Sequence, residues 1–189
     1  WDGWSPRLAE IIRMAIWALK IVPGQGIQAD LATVKGLVEE KEYLKALYLL
    51  EIMPENIESA ALKYQCKLKV SENSAIRYFD VIQEKYRGDE QYPAVMESIM
   101  HLVLDSDLRT DAVIKNGLDA AERLLRSGRN GDYRVHEAMG ILCYRYGESF
   151  KRKGVQALEN SIPAAKMNRV GDDVIKHLEE QVKKFQTMA

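Results

Sequence analysis

The chain has 189 residues, of which 47% are hydrophobic and 29% charged, and its 27 Lys and Arg against 28 Asp and Glu leave a formal net charge of −1. That length suits one domain with an adequate core, the composition excludes a disordered chain, and the charge excludes a globally basic nucleic-acid binder while leaving a local basic patch open. Cys66 and Cys143 stand singly in apolar stripes without metal-ligand spacing. Small buried thiols in a reducing compartment are the plain reading, so an intracellular location, cytoplasmic or nuclear, is expected. No apolar run has the length needed to span a bilayer, and no signal-peptide pattern is present. The first residue is Trp1 rather than Met, which suggests a domain excised from a larger protein.

Taken in order, Ser5 followed by Pro6 is a helix start, a hydroxyl cap and then a ring that sacrifices no needed N–H. Leu8, Ile11, Ile12, Ala15, Ile16, Leu19 and Val22 form a wide apolar face until Pro23-Gly24-Gln25-Gly26 stops it. Residues 1–26 therefore read as an appended helix, and Trp4 and Trp17 leave homo-oligomerisation open. Residues 27–169 read as an array of about four helical hairpins. In the first, Leu31, Val34, Leu37 and Val38 line one helix, Tyr43, Ala46, Leu47, Leu50 and Met53 line the next, and Glu39–Glu42 is the turn. Pro54 ends this pair and Asn56 caps the following helix. The second hairpin places Ile57, Ala60, Ala61, Tyr64 and Leu68 on one stripe and Ala75, Ile76, Phe79, Ile82 and Tyr86 on the other, at the three-and-four spacing of amphipathic helices.

A tight turn between short helices, an Ala near the start of the second helix and an aromatic residue or Leu four residues later resembles the tetratricopeptide repeat. The positions that carry the resemblance are Leu62, Cys66, Ala75, Phe79 and Ile82, and in the preceding hairpin Leu37, Ala46 and Leu50. The form is degenerate: Ala75 follows Ala46 at 29 residues, against a family period of about 34. The resemblance implies an all-α fold, antiparallel hairpins stacked as a short right-handed α-solenoid whose first helices line a concave groove. Tyr64, Lys67 and Leu68 fall on that wall, and by looser extension Met96, Met100, Val103, His136, Gly140 and Tyr144. Aromatic, Met and basic side chains in one groove suit a peptide or helix of a partner. The same stripes equally suit core, Met96 and Met100 above all.

Pro93 opens a third hairpin with Met96, Ile99, Met100 and Val103, then a turn at Asp105–Asp107 and a helix over Thr110–Arg126. Gly128 reads as a left-handed cap. A fourth pair runs from Asp132 to about Lys153, carrying Val135, Met139, Leu142, Cys143 and Tyr146. Gly154 is then expected as the turn, with Gly147 as the alternative break, and Val155–Met167 follows with a kink at Pro163. Residues 170–189, with Val174, Ile175, Leu178, Val182 and Phe185 on one side, read as a helix capping the array.

Little in the sequence points to catalysis. His101, His136 and His177 lack two-histidine metal spacing, His136-Glu137 is a lone dipeptide, and PGQGI and SGRNG are not set between a strand and a helix as phosphate-cradling loops are. No enzyme activity is supported and no cofactor or metal is expected. A helical enzyme or regulatory domain whose site is shared with a missing remainder stays open.

Charge is unevenly spread. From Leu37 to Glu97 there are 12 Asp and Glu against 8 Lys and Arg; from Arg123 to Val170, 10 Lys and Arg against 4 Asp and Glu. Arg123, Arg126, Arg129, Arg134, Arg145, Lys151, Arg152 and Lys153 carry the excess, interleaved with Tyr133, Tyr144 and Tyr146. Two readings stand: a surface for an acidic or phosphorylated segment or for nucleic-acid phosphates, or a solvated face whose counter-charges lie in the acidic stretch. The expectation is an adaptor or scaffold domain that binds another protein, with nucleic-acid binding through the basic half as the alternative.

Overall fold

Asp and Asn start helices because their short side chains take the orphan N–H groups of a first turn. In the computed structural model, which describes residues 30–107 and 110–188, Asp30 accepts from the Thr33 N–H at 2.7 Å and α1 runs over Leu31–Glu39. The helix expected between Ser5 and Val22, with Trp4 and Trp17, lies outside the described residues. α2 is Tyr43–Ile52. The joint between them turns through Lys41, at φ 62°, and the Glu42 N–H returns to the Leu37 carbonyl at 2.8 Å.

α3, Ile57–Val70, starts from a reciprocal cap: the Ser59 N–H donates to Asn56 Oδ1 at 2.8 Å and the Asn56 N–H donates to Ser59 Oγ at 3.2 Å. A cap of this kind contributes about 1 kcal/mol. Ser71 alone separates α3 from α4, Glu72–Tyr86. Next come α5, Tyr92–Leu104, with Pro93 in its first turn, and α6, Asp111–Arg126. A 3₁₀ turn, Arg129–Gly131, leads to α7, Tyr133–Tyr146; a second, Glu148–Phe150, leads to α8, Lys151–Met167. α9 is Asp172–Met188. The fold is all-α, with nine helices and no strand among the described residues.

The helix expected to run to about Lys153 ends instead at Tyr146, and Gly154 is not a turn. Gly147 adopts φ 133° and ψ −178°, a conformation essentially confined to glycine, so the chain breaks there. Gly154 lies buried in the first turn of α8 because its missing side chain is needed. A Cβ there would stand 3.0 Å from the Gly140 carbonyl oxygen, and a Cβ at Gly140 would stand 2.5 Å from Leu158 Cγ. Main chain thus meets main chain where α7 crosses α8. Pro163 lies inside α8 on its exposed side, and the helix continues past it.

The chain divides into two compact units, the division falling after Ala75 inside α4. In the first, α1 packs on α2 and both pack on α3. Its core gathers Val34, Ala46, Leu49, Leu50 and Cys66, with Leu31, Leu37, Val38, Tyr43, Leu47, Met53 and Leu62 against them. In the second, each helix from α5 to α9 packs on the next. α6 shows why: Val113, Ile114, Leu118, Ala121 and Leu124 are buried along one stripe while Lys115 and Arg126 face solvent. α9 buries only Leu178 and Val182, worth about 1.5–3 kcal/mol each.

Candidate functional site

The loop from α6 to α7 is built by three local devices and two side-chain pins. Ser127 Oγ donates to the Leu124 carbonyl at 2.8 Å and ends α6; Gly128, at φ 96°, turns the chain left-handed. Asp132 then caps α7 by accepting from the Arg134 N–H at 3.1 Å. Two side chains pin the loop's carbonyls: His136 Nε2–H donates to Asn130 O at 2.8 Å, and Asn168 Nδ2, just past the end of α8, donates to Gly131 O at 2.7 Å. The result is an open cleft of about 490 Å³ lined by Gly128, Arg129, Gly131, Asp132, Tyr133, Arg134 and Asn168.

Its electrostatics centre on Asp132. Arg134 reaches it through Nε and Nη2, both at 3.1 Å, and Arg129 Nη1 lies 3.6 Å away. Arg129 also holds Glu97 at 3.1 Å. Burial pushes the Asp132 carboxyl up, but the hydrogen bonds and charge of Arg134, with Arg129 behind them, hold it below the usual carboxylate range. The side chain of Arg134 is 58% exposed and that of Arg129 37%, and both residues line the cleft. Planar donors of this kind match carboxylate and phosphate oxygens.

Most of the groove expected from the first helices is interior. Tyr64, Met96 and Met100 are fully buried and Leu68 nearly so; a side chain without accessible surface offers nothing to a ligand, which corrects the groove reading for these four. Lys67 pairs with Glu51 at 3.4 Å. His136 is buried as a pin of the Gly128–Asp132 loop, so its ring is used within the chain. Tyr144 packs against Phe185 with ring centroids 4.5 Å apart and planes tilted by 47°, and its hydroxyl meets Met188 Sδ at 3.2 Å, so α9 occupies that face.

The basic residues disperse. Arg126 pairs with Glu122 at 3.2 Å, and Lys153 pairs with the same carboxylate. Arg145 donates to the Leu104 carbonyl at 2.6 Å; Lys151 holds Glu148 at 2.8 Å and donates to the Met188 carbonyl. Arg123 donates to Gln83 Oε1, and Arg152 is exposed. Of these eight basic residues, the cleft brings together only Arg129 and Arg134. Sequence reasoning missed Asp132 and Asn168 as site residues; the first carried only a helix-start signal, and the second carried none.

Burial pushes both the Cys66 and Cys143 thiols up to about 11, so neither is a thiolate near neutral pH. Among the described residues no three His, Cys, Asp or Glu side chains gather as a metal site, and no helix is long and apolar enough to cross a membrane. No protein-family model, curated protein or solved structure matches this chain.

Proposed function

We propose that this chain is a non-catalytic protein-interaction module, an adaptor domain that holds an acidic segment of a partner protein in the cleft at residues 128–134. The observation that carries the reading is the pairing of two half-engaged guanidiniums, Arg129 and Arg134, with the Tyr133 ring and the Asn168 amide around one open, loop-built depression. A pinned loop presents those donors with little ordering cost on binding. The tetratricopeptide-like character of the hairpins, resting on Ala46, Ala75 and Phe79, belongs to the same proposal. Nucleic acid is the weaker partner, because outside the cleft Arg126, Lys151 and Lys153 already face carboxylates and Arg145 a carbonyl, which leaves few positive charges for an extended phosphate backbone.

The test is capture from nuclease-treated extract, comparing the native chain with an Arg129→Glu/Arg134→Glu variant. A discrete protein retained by the first and lost by the second is expected. Recovery of the same material by both, or of nucleic acid released at moderate salt, overturns the proposal.

A further inference from the structure

α8 passes into α9 through four residues, 168–171. A helix-end motif closes this joint: the Val170 N–H returns to the Ala165 carbonyl at 3.3 Å and the Arg169 N–H to the Lys166 carbonyl at 3.1 Å. Such a motif sets the residue after the cap in the left-handed region, which favours glycine, and here that residue is Arg169, at φ 54°. The joint is therefore strained whenever α9 folds back on α8. The hold of α9 on its own unit is light. Only Leu178 and Val182 are buried along it. Its polar ties lie at the surface, with Gln186 Nε2 donating to Glu159 Oε1 at 2.9 Å, Glu179 at 3.7 Å from Lys166 and His177 at 3.8 Å from Glu137. Ties of this kind contribute little. Gln181 Oε1 is buried without a hydrogen-bond partner among the described residues, a desolvation cost that weakens the hold further.

We propose that α9 is an exchangeable element: in a dimer, α9 of each copy leaves its own α8 and lies on α7 and α8 of the other. The partner for the uncovered face is a second copy of this chain, because the α9 of that copy fits the face by identity. The contacts of Leu178, Val182 and Gln186, and that of Phe185 with Tyr144, recur in the exchanged dimer and so cancel against those of the monomer. What differs is the hinge. Arg169 leaves the left-handed region only when residues 168–171 open, so its strain burdens the closed monomer alone. A short hinge under strain is the setting in which exchange is favoured, and the light hold of α9 lets it release. Exchange is independent of what the cleft binds.

The experiment follows the whole chain by sedimentation from low micromolar to near-millimolar concentration, beside Arg169→Gly. The native chain is expected to populate a dimer. Arg169→Gly relaxes the closed hinge in both copies and should raise the dimer dissociation constant about tenfold. A second measurement identifies the exchanged segment. Two singly substituted chains, Glu159→Cys and Gln186→Cys, are incubated together at high concentration and treated with a short bismaleimide, from which the native thiols of Cys66 and Cys143 are sheltered by burial. Exchange predicts a covalent heterodimer joined through the two introduced thiols, and no such product from a mixture kept dilute throughout. A chain that stays monomeric, an Arg169→Gly dimer as tight as the native one, or a dimer without that link overturns the proposal.

Discussion

Where α2 meets α3, Lys63 reaches Glu51 at 3.0 Å and Glu55 at 3.8 Å, whereas where α7 meets α8 two glycines bring backbone against backbone. The first contact is a charged side chain only 10% exposed, steadied by carboxylates at the water's edge. The second is pure shape. An ion pair near the surface can be replaced by apolar bulk of the same length, because its desolvation cost offsets much of its attraction. A close approach of two main chains leaves no room for any substituent. The two pairs should therefore answer substitution in opposite ways.

The largest effect is expected at Gly140→Ala. The new methyl must push Leu158 and the Gly154 carbonyl away, a cost of about 2–3 kcal/mol that exceeds the roughly 1 kcal/mol gained in helix propensity. Urea unfolding measures it, and a neutral Gly140→Ala would remove the shape argument for this crossing. Gly147→Ala follows at about 1–2 kcal/mol, from backbone strain alone, since nothing stands near its added Cβ. The same unfolding series should show that Gly154→Ala resembles Gly140→Ala rather than Gly147→Ala.

On the other side of the comparison, Lys63→Ala should cost about 1–2 kcal/mol while Lys63→Met stays within about 0.5 kcal/mol of the native chain. Equal losses in the two variants would mean that the ion pair, not the packing of the stem, holds α2 to α3. Acid should separate the regions further. Burial raises the Glu51 carboxyl, but the hydrogen bond and charge of Lys63, then Lys67, bring it below its ordinary value near 4.5. Its folded pKa lies below its unfolded one, so its contribution is present above the ordinary carboxylate range and is lost as pH falls through the folded value. Asp119 on α6 runs the other way: burial, above all, raises its carboxyl despite Lys115. Its cost grows as pH rises through the carboxylate range, and Asp119→Asn should raise the melting temperature at neutral pH by about 1–3 °C. The smallest effect is expected at Arg126→Gln, within about 0.5 kcal/mol, because its side chain is 78% exposed and its ion pair with Glu122 lies at the surface.

These contrasts also show what the amino-acid order carries. The helices were legible because Val113, Ile114, Leu118, Ala121 and Leu124 repeat at a helical period that burial alone enforces, and because Asn56 and Pro93 mark starts by local chemistry. The choice between Gly147 and Gly154 as the break was not. Glycine answers two needs, a positive φ and a close approach, and only the position of α7 against α8 tells them apart. The expected groove failed for a related reason: Tyr64, Met96 and Met100 sit on helix stripes, and a stripe pattern does not say whether it ends in a core or at a wall. Of the site, the excess of arginines was legible as composition. Their partners were not, since Arg129 finds Glu97 and Lys153 finds Glu122 across 32 and 31 residues of sequence, a matter of tertiary placement.

The central claim is that recognition belongs to the polar cleft of residues 128–134 and not to the Tyr and Met stripes. Titrating a Glu-containing decapeptide of Gly/Ser background into the ¹⁵N-labelled chain and mapping shifted amide and arginine Nε resonances tests it most directly. The account predicts that the perturbed signals gather at Gly128, Arg129, Gly131, Tyr133, Arg134 and Asn168. Shifts confined to α2 and α3, or spread evenly over the lysines, would contradict it.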